Sequence, residues 1–93
     1  MLNQHLADNQ TTTVNMPDDV NSLYFWIDSH IFDNRMYVLA CRIVSSSWTL
    51  KSTKIYSSGN GTTNFSIGNS GVLTITNNGN GNGMLFRLRL ATN

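Results

Sequence analysis

The run RMYVLACRIV, residues 35–44, limits the fold more than any other part of this chain. Its odd positions hold Tyr37, Leu39, Cys41 and Ile43, and its even positions Met36, Val38 and Ala40 stay apolar until Arg42. Aromatic and β-branched residues in so short a run make a strand. A strand apolar on both faces belongs in the middle of a sheet or has one face against another subunit. The longest apolar stretch within it is far shorter than the roughly 20 residues a membrane-spanning helix needs.

The rest of the chain keeps the same rhythm. WTLKSTKIY (residues 48–56) alternates, with Trp48 and Leu50 on one side and Thr49, Lys51 and Thr53 on the other. The serines at 45–47 join it to the preceding run as an antiparallel hairpin. NFSI (64–67) and VLTIT (72–76) read as short strands linked by Gly68, Asn69, Ser70 and Gly71. In MLFRLRLA (84–91), Met84, Phe86, Leu88 and Leu90 share one face and Arg87 and Arg89 the other, the pattern of a strand with one buried and one wet face. SLYFWI (22–27) reads as a strand from its aromatic density, although Pro17, Asp18 and Asp19 ahead of it carry a helix-start signal. Residues 1–20 are polar and aperiodic and read as a linker or extended lead-in to a single β domain at 21–93.

The expected fold is all-β: a small antiparallel β-sandwich or barrel of five to six short strands. Its core is expected from Tyr37, Leu39, Ile43, Trp48, Leu50, Phe65, Ile67, Leu73, Ile75, Phe86, Leu88 and Leu90, with Tyr24, Phe25 and Trp26 also assigned inside. Thirteen Asn, ten Ser, ten Thr and seven Gly against three Ala and no Glu argue the same way, because strong helix formers are scarce. The lone Cys41 excludes an intrachain disulfide and a cysteine zinc cage, and its apolar run makes it a small buried hydrophobe rather than a nucleophile. A chain of 93 residues buries only about 60–65% of its unfolded surface, so association with further copies is expected to supplement its core. No secretory leader pattern is read at the front.

The charges are sorted along the chain. All five acids lie in residues 1–33 and all six bases in 34–93, giving −5 and +6 for a total of +1. Either the basic body faces an anionic partner, or the acidic segment packs along it. The second is favoured because the bases are scattered over three separate runs.

Motifs of chemistry are sparse. In NNGNGNG (77–83), Gly79, Gly81 and Gly83 fall on every second position, and a strand follows where a dinucleotide fingerprint needs a helix. The string reads as a flexible hairpin connection, whose Asn amides can still hydrogen-bond a sugar. The loop residues Tyr56, Asn60, Asn64, Asn78, Asn80 and Asn82 form the candidate ligand set. Asp28, Ser29 and His30 are adjacent and cannot form a triad, because Ser29 points away from the other two along a strand. His30 is a weak metal candidate only, since Asp-x-His has no specific ligand spacing. Glycoside cleavage uses two flanking carboxylates, and the chain has no Glu, so neither enzymatic activity nor a cofactor is expected. Lys51, Lys54, Arg87 and Arg89 form a candidate basic face. With Trp26, Trp48 and Tyr56 it is the raw material of a small nucleic-acid-binding β-barrel, a class its near-neutral charge disfavours.

From residue 35 to residue 93 the chain resembles the distal C-terminal domain of a bacteriophage tail fibre or tailspike. The resemblance is carried by MYVLACRIVSSSWTL, then KIYSSGNGTTNFSIGNSGVLTITNN, then a closing strand that stops at RLRLATN. It implies a homotrimeric, all-β, non-enzymatic tip module that recognises a host surface glycan or surface protein, nucleates trimers, or both. It also implies a place on the virion outside the host, with no membrane insertion. The alternatives are the nucleic-acid barrel and a purely structural assembly or chaperone domain of a longer fibre protein.

Overall fold

The structure, a computed structural model, describes residues 3–29, 34–58, 61–78 and 84–90, the last segment by its backbone and register. Eight strands run through these residues: β1 (Asn3–Leu6), β2 (Thr11–Asn15), β3 (Ser22–Ser29), β4 (Asn34–Val44), β5 (Ser47–Ser58), β6 (Thr62–Ile67), β7 (Val72–Asn78) and β8 (Met84–Leu90). They form a five-stranded sheet in the order β1-β8-β3-β4-β5 and a three-stranded sheet in the order β2-β7-β6, with every pairing antiparallel. The fold is the all-β sandwich expected, with more strands than the five or six foreseen.

The extra strands come from the N-terminal segment. Residues 1–20, read as linker or lead-in, supply a strand to each sheet: β1 pairs with β8, and β2 pairs with β7. TTTVN offers one apolar residue to the pattern, so its strand character comes from its partner. Val14 stands across from Leu73, and the Thr11 and Thr76 hydroxyls are 3.0 Å apart. Leu6 ends β1 fully buried. A turn at Ala7–Gln10, with Asn9 at φ 65°, carries the chain from one sheet to the other.

The hairpins expected at 45–47 and 68–71 are both present. The first is a two-residue turn in which Ser45 (φ 51°) and Ser46 (φ 68°) both take positive φ, the type I′ geometry that matches strand twist. The Asn-Gly string is not a hairpin. β7 lies in the small sheet and β8 in the large one, so the strands on either side of it do not pair with each other; residues 79–83 lie outside the described residues.

The core sits between the sheets and contains Leu6, Met16, Phe25, Ile27, Tyr37, Leu39, Cys41, Trp48, Leu73 and Ile75. Period two decides who enters it. On β3, Phe25 and Ile27 point in, while Tyr24 (49% exposed) and Trp26 (44%) stand on the outer face. Three consecutive aromatics cannot all face one side of a strand, so the expectation of a fully buried aromatic run fails for two of them. Ile43, also expected in the core, is 36% exposed near the end of β4. The expected core residues Phe86, Leu88 and Leu90 lie where only the backbone is described. β4 is an interior strand, flanked by β3 and the edge strand β5, while β3 holds the middle of the sheet.

At one end of the sandwich the packing is tight and apolar. Gly71 (φ 98°) lies against the Trp48 indole so closely that a Cβ would come within 2.8 Å of its Cδ1 and 3.2 Å of Met16 Cβ. Backbone bonds lock the same corner: Met16 N–H donates to Gly71 O (2.8 Å) and Trp48 N–H to Asn69 O (3.1 Å).

Candidate functional site

The opposite end is built from polar groups on core-facing positions. Arg35 shares its parity on β4 with Tyr37, Leu39 and Cys41, and it is fully buried. Its Nη1 donates to Asn77 Oδ1 (2.9 Å), Thr62 O (2.9 Å) and Thr63 Oγ1 (3.1 Å). Asn77, also fully buried, passes the connection on: its Nδ2 donates to Leu6 O (2.9 Å) and Ala7 O (3.2 Å). One guanidinium and one amide thereby tie β4 to β6 and β7 and to the chain at the end of β1. Bonds made by a charged donor in a buried setting are among the stronger ones, and each polar atom here would be costly to leave without its partner.

Beside this network the sandwich opens. The inward set of β5 begins with Trp48 and Leu50 and continues with Ser52 and Lys54, which stand across from Leu39 and Tyr37. Apolar cover therefore stops halfway along the strand, and residues 51–58 are all exposed. β5 and β6 are the edge strands of their sheets on this side. Between them lies an open cleft of about 490 Å³ lined by Tyr37, Ser52, Lys54, Thr62, Thr63, Asn64 and Phe65. Its volume is in the range of small-ligand sites. Tyr37 and Phe65, one from each sheet, pack edge to face with centroids 5.0 Å apart and planes at 72°. The cleft combines an aromatic base with hydroxyl, amide and ammonium groups on its rim.

The sequence-derived candidates divide on this geometry. Asn64 and Lys54 line the cleft. Tyr56 is 53% exposed and falls at the β4–β5 bulge, where Ile55 and Tyr56 together stand opposite Met36 on the outer face of the large sheet. Asn78 ends β7 across from Thr62. Asn60, Asn80, Asn82 and His30 lie outside the described residues. The proposed basic face is divided: Lys51 pairs with Ala40, whose parity is outward, whereas Lys54 pairs with the inward Tyr37. Three residues apart on a strand means opposite faces. Arg87 registers with Asp28 and Arg89 with Trp26, on β8, which is separated from β5 by β3 and β4. Asp28 and Ser29 sit at successive positions on β3.

Arg35, Thr63, Asn77 and the aromatic pair Tyr37 and Phe65 were not singled out as site residues from the sequence. The signal for the polar three was parity: Arg35 keeps step with Tyr37 and Leu39, Thr63 with Phe65 and Ile67, and Asn77 with Leu73 and Ile75. Among the described residues no three His, Cys, Asp or Glu side chains gather as a metal site, and no helix is long and apolar enough to cross a membrane. Burial pushes the Cys41 thiol up to about 11, so it is protonated and unreactive near neutral pH.

A second surface is apolar. The outer face of the large sheet exposes Tyr24, Trp26, Met36, Ile55 and Tyr56. Comparison of the chain with protein families, with curated proteins and with solved structures found no match.

Proposed function

We propose that the chain is a non-enzymatic recognition module of the phage tail-fibre or tailspike tip kind, which binds a host surface glycan through the cleft between β5 and β6. One observation carries this reading: an aromatic pair, Tyr37 buried and Phe65 half-buried, at the base of an open cleft lined by Ser52, Thr62, Thr63, Asn64 and Lys54. Sugars offer apolar C–H faces and many hydroxyls, and such a lining answers both. The sequence texture over residues 35–93 supports the same reading, with the module displayed on a virion outside the host.

The exposed apolar sheet face supports an associated state, for which a homotrimer is the form we put forward. Light scattering across a dilution series measures it: a mass of three chains is expected, and a monomer at all concentrations would remove the trimer. Recognition is tested by offering the folded protein to intact bacterial cells and isolated surface polysaccharides. Saturable binding, weakened by Asn64→Ala at an exposed position, is expected. Folded protein that binds no surface in such a panel would overturn the recognition reading.

A further inference from the structure

Resting on the recognition reading above, we propose that the β5–β6 cleft selects saccharides that carry a carboxylate. Among the described residues lining the cleft, Lys54 is the only Lys, Arg, Asp or Glu; the others are two aromatics, three hydroxyl residues and an amide. Its place is fixed by the ladder, because Lys54 stands across from Tyr37, whose ring forms the base. The described acids lie elsewhere: Asp8 in the β1–β2 turn, Asp18 and Asp19 between β2 and β3, and Asp28 at an outward position on β3. The cleft is thus a neutral hydrogen-bonding rim with one solvent-facing positive charge, while the Arg35 guanidinium is buried behind Thr62 and Thr63.

The type of anion follows from the type of cation. Lysine is a compact point charge with three donors, suited to one carboxylate oxygen pair. Phosphate recognition usually gathers an arginine fork or several backbone N–H groups around the anion. The remaining lining suits a sugar ring: hydroxyls and an amide for its own hydroxyls, and the half-buried Phe65 ring for its C–H face. A uronic or sialic acid residue within an oligosaccharide satisfies both halves of the site, whereas a neutral sugar leaves the ammonium to water.

The test uses the full chain on an array of oligosaccharides carrying uronic or sialic acids, printed beside their methyl esters, which differ only in charge. Binding confined to the free acids is expected, at least tenfold tighter than to the esters and weakening as salt rises. Lys54→Gln, at an exposed position, is expected to remove that preference while its circular dichroism spectrum stays that of the parent. Equal binding of acids and esters, or an unchanged preference in Lys54→Gln, would overturn the charge selection and leave the recognition reading standing. Binding to neither set overturns the charge selection, and the recognition reading is then decided by the binding to intact cells and surface polysaccharides.

Discussion

The two ends of the sandwich are held by different physics. At the Trp48 end, shape does the work: an indole lies on a glycine too closely for any Cβ, and Met16 closes the third side. At the Arg35 end, direction does it: three acceptors meet one guanidinium nitrogen, and a buried amide relays the connection to the first strand. Apolar packing brings the groups at its end into close contact, since non-directional contacts reward every removal of water. Hydrogen bonding needs polar groups at core positions, and the same polar character continues along β5 into Ser52 and Lys54, where the cleft begins. The cleft between β5 and β6 lies at the end built from polar groups.

Removing the polar anchor is the strongest way to break this contrast. Arg35→Met is expected to cost about 3 kcal/mol or more, because Asn77 Oδ1, Thr62 O and Thr63 Oγ1 lose a buried charged donor together. Denaturant unfolding measures it, and a loss below about 1 kcal/mol would show that the network is incidental. Gly71→Ala attacks the other end. With φ at 98° and the indole 2.8 Å from the new methyl, a loss of about 2–3 kcal/mol is expected, together with an altered Trp48 emission. Unchanged stability there would mean that the shape-fitted corner yields easily.

Cys41 samples the sealed interior by pH. Its folded pKa of about 11 lies above the ordinary 9.0, so the folded state holds the thiol proton more tightly. The stabilisation is complete below about pH 9 and is lost as pH rises to about 11, an effect on the order of 2 kcal/mol. Cys41→Val should show correspondingly less alkaline loss of stability. The smallest effect is a gain. Ser45 and Ser46 hold positive φ that Asn and Gly adopt more readily, so the double substitution Ser45→Asn, Ser46→Gly should add about 1 kcal/mol and raise the melting temperature by several degrees.

How much of this was legible in the sequence depended on distance along the chain. The hairpins β4–β5 and β6–β7 were readable because their two strands are neighbours and their turns carry Ser, Gly and Asn. β2 was not, because TTTVN gains its strand character from β7, some 60 residues away. The Asn-Gly string illustrates the same limit: local composition says that a chain turns there, but not whether the next strand joins the same sheet. The cleft was half legible. Lys54 and Asn64 were named as separate candidates, yet only the opposition of the two sheet edges brings them together. The buried Arg35 was visible in principle, since it keeps step with the core residues of its own strand, but charge is ordinarily read as surface. Tyr24 and Trp26 erred the other way, because aromatic character outweighed the alternation that turned them outward.

The pairing of the first strands with the last has a consequence in time. β1 registers Asn3 with Arg87, and β2 registers Thr11 with Thr76. These ladders close loops spanning most of the chain, the kind of contact that slows folding. On the ribosome the hairpins can form as they emerge, but the N-terminal strands are made first and paired last. Until β7 and β8 are synthesised, β1 and β2 have no partners, and the large sheet has an open seam between β1 and β3 where β8 belongs. Pairing of β1 and β2 is therefore gated by synthesis of β7 and β8, and any earlier pause leaves both without their ladders.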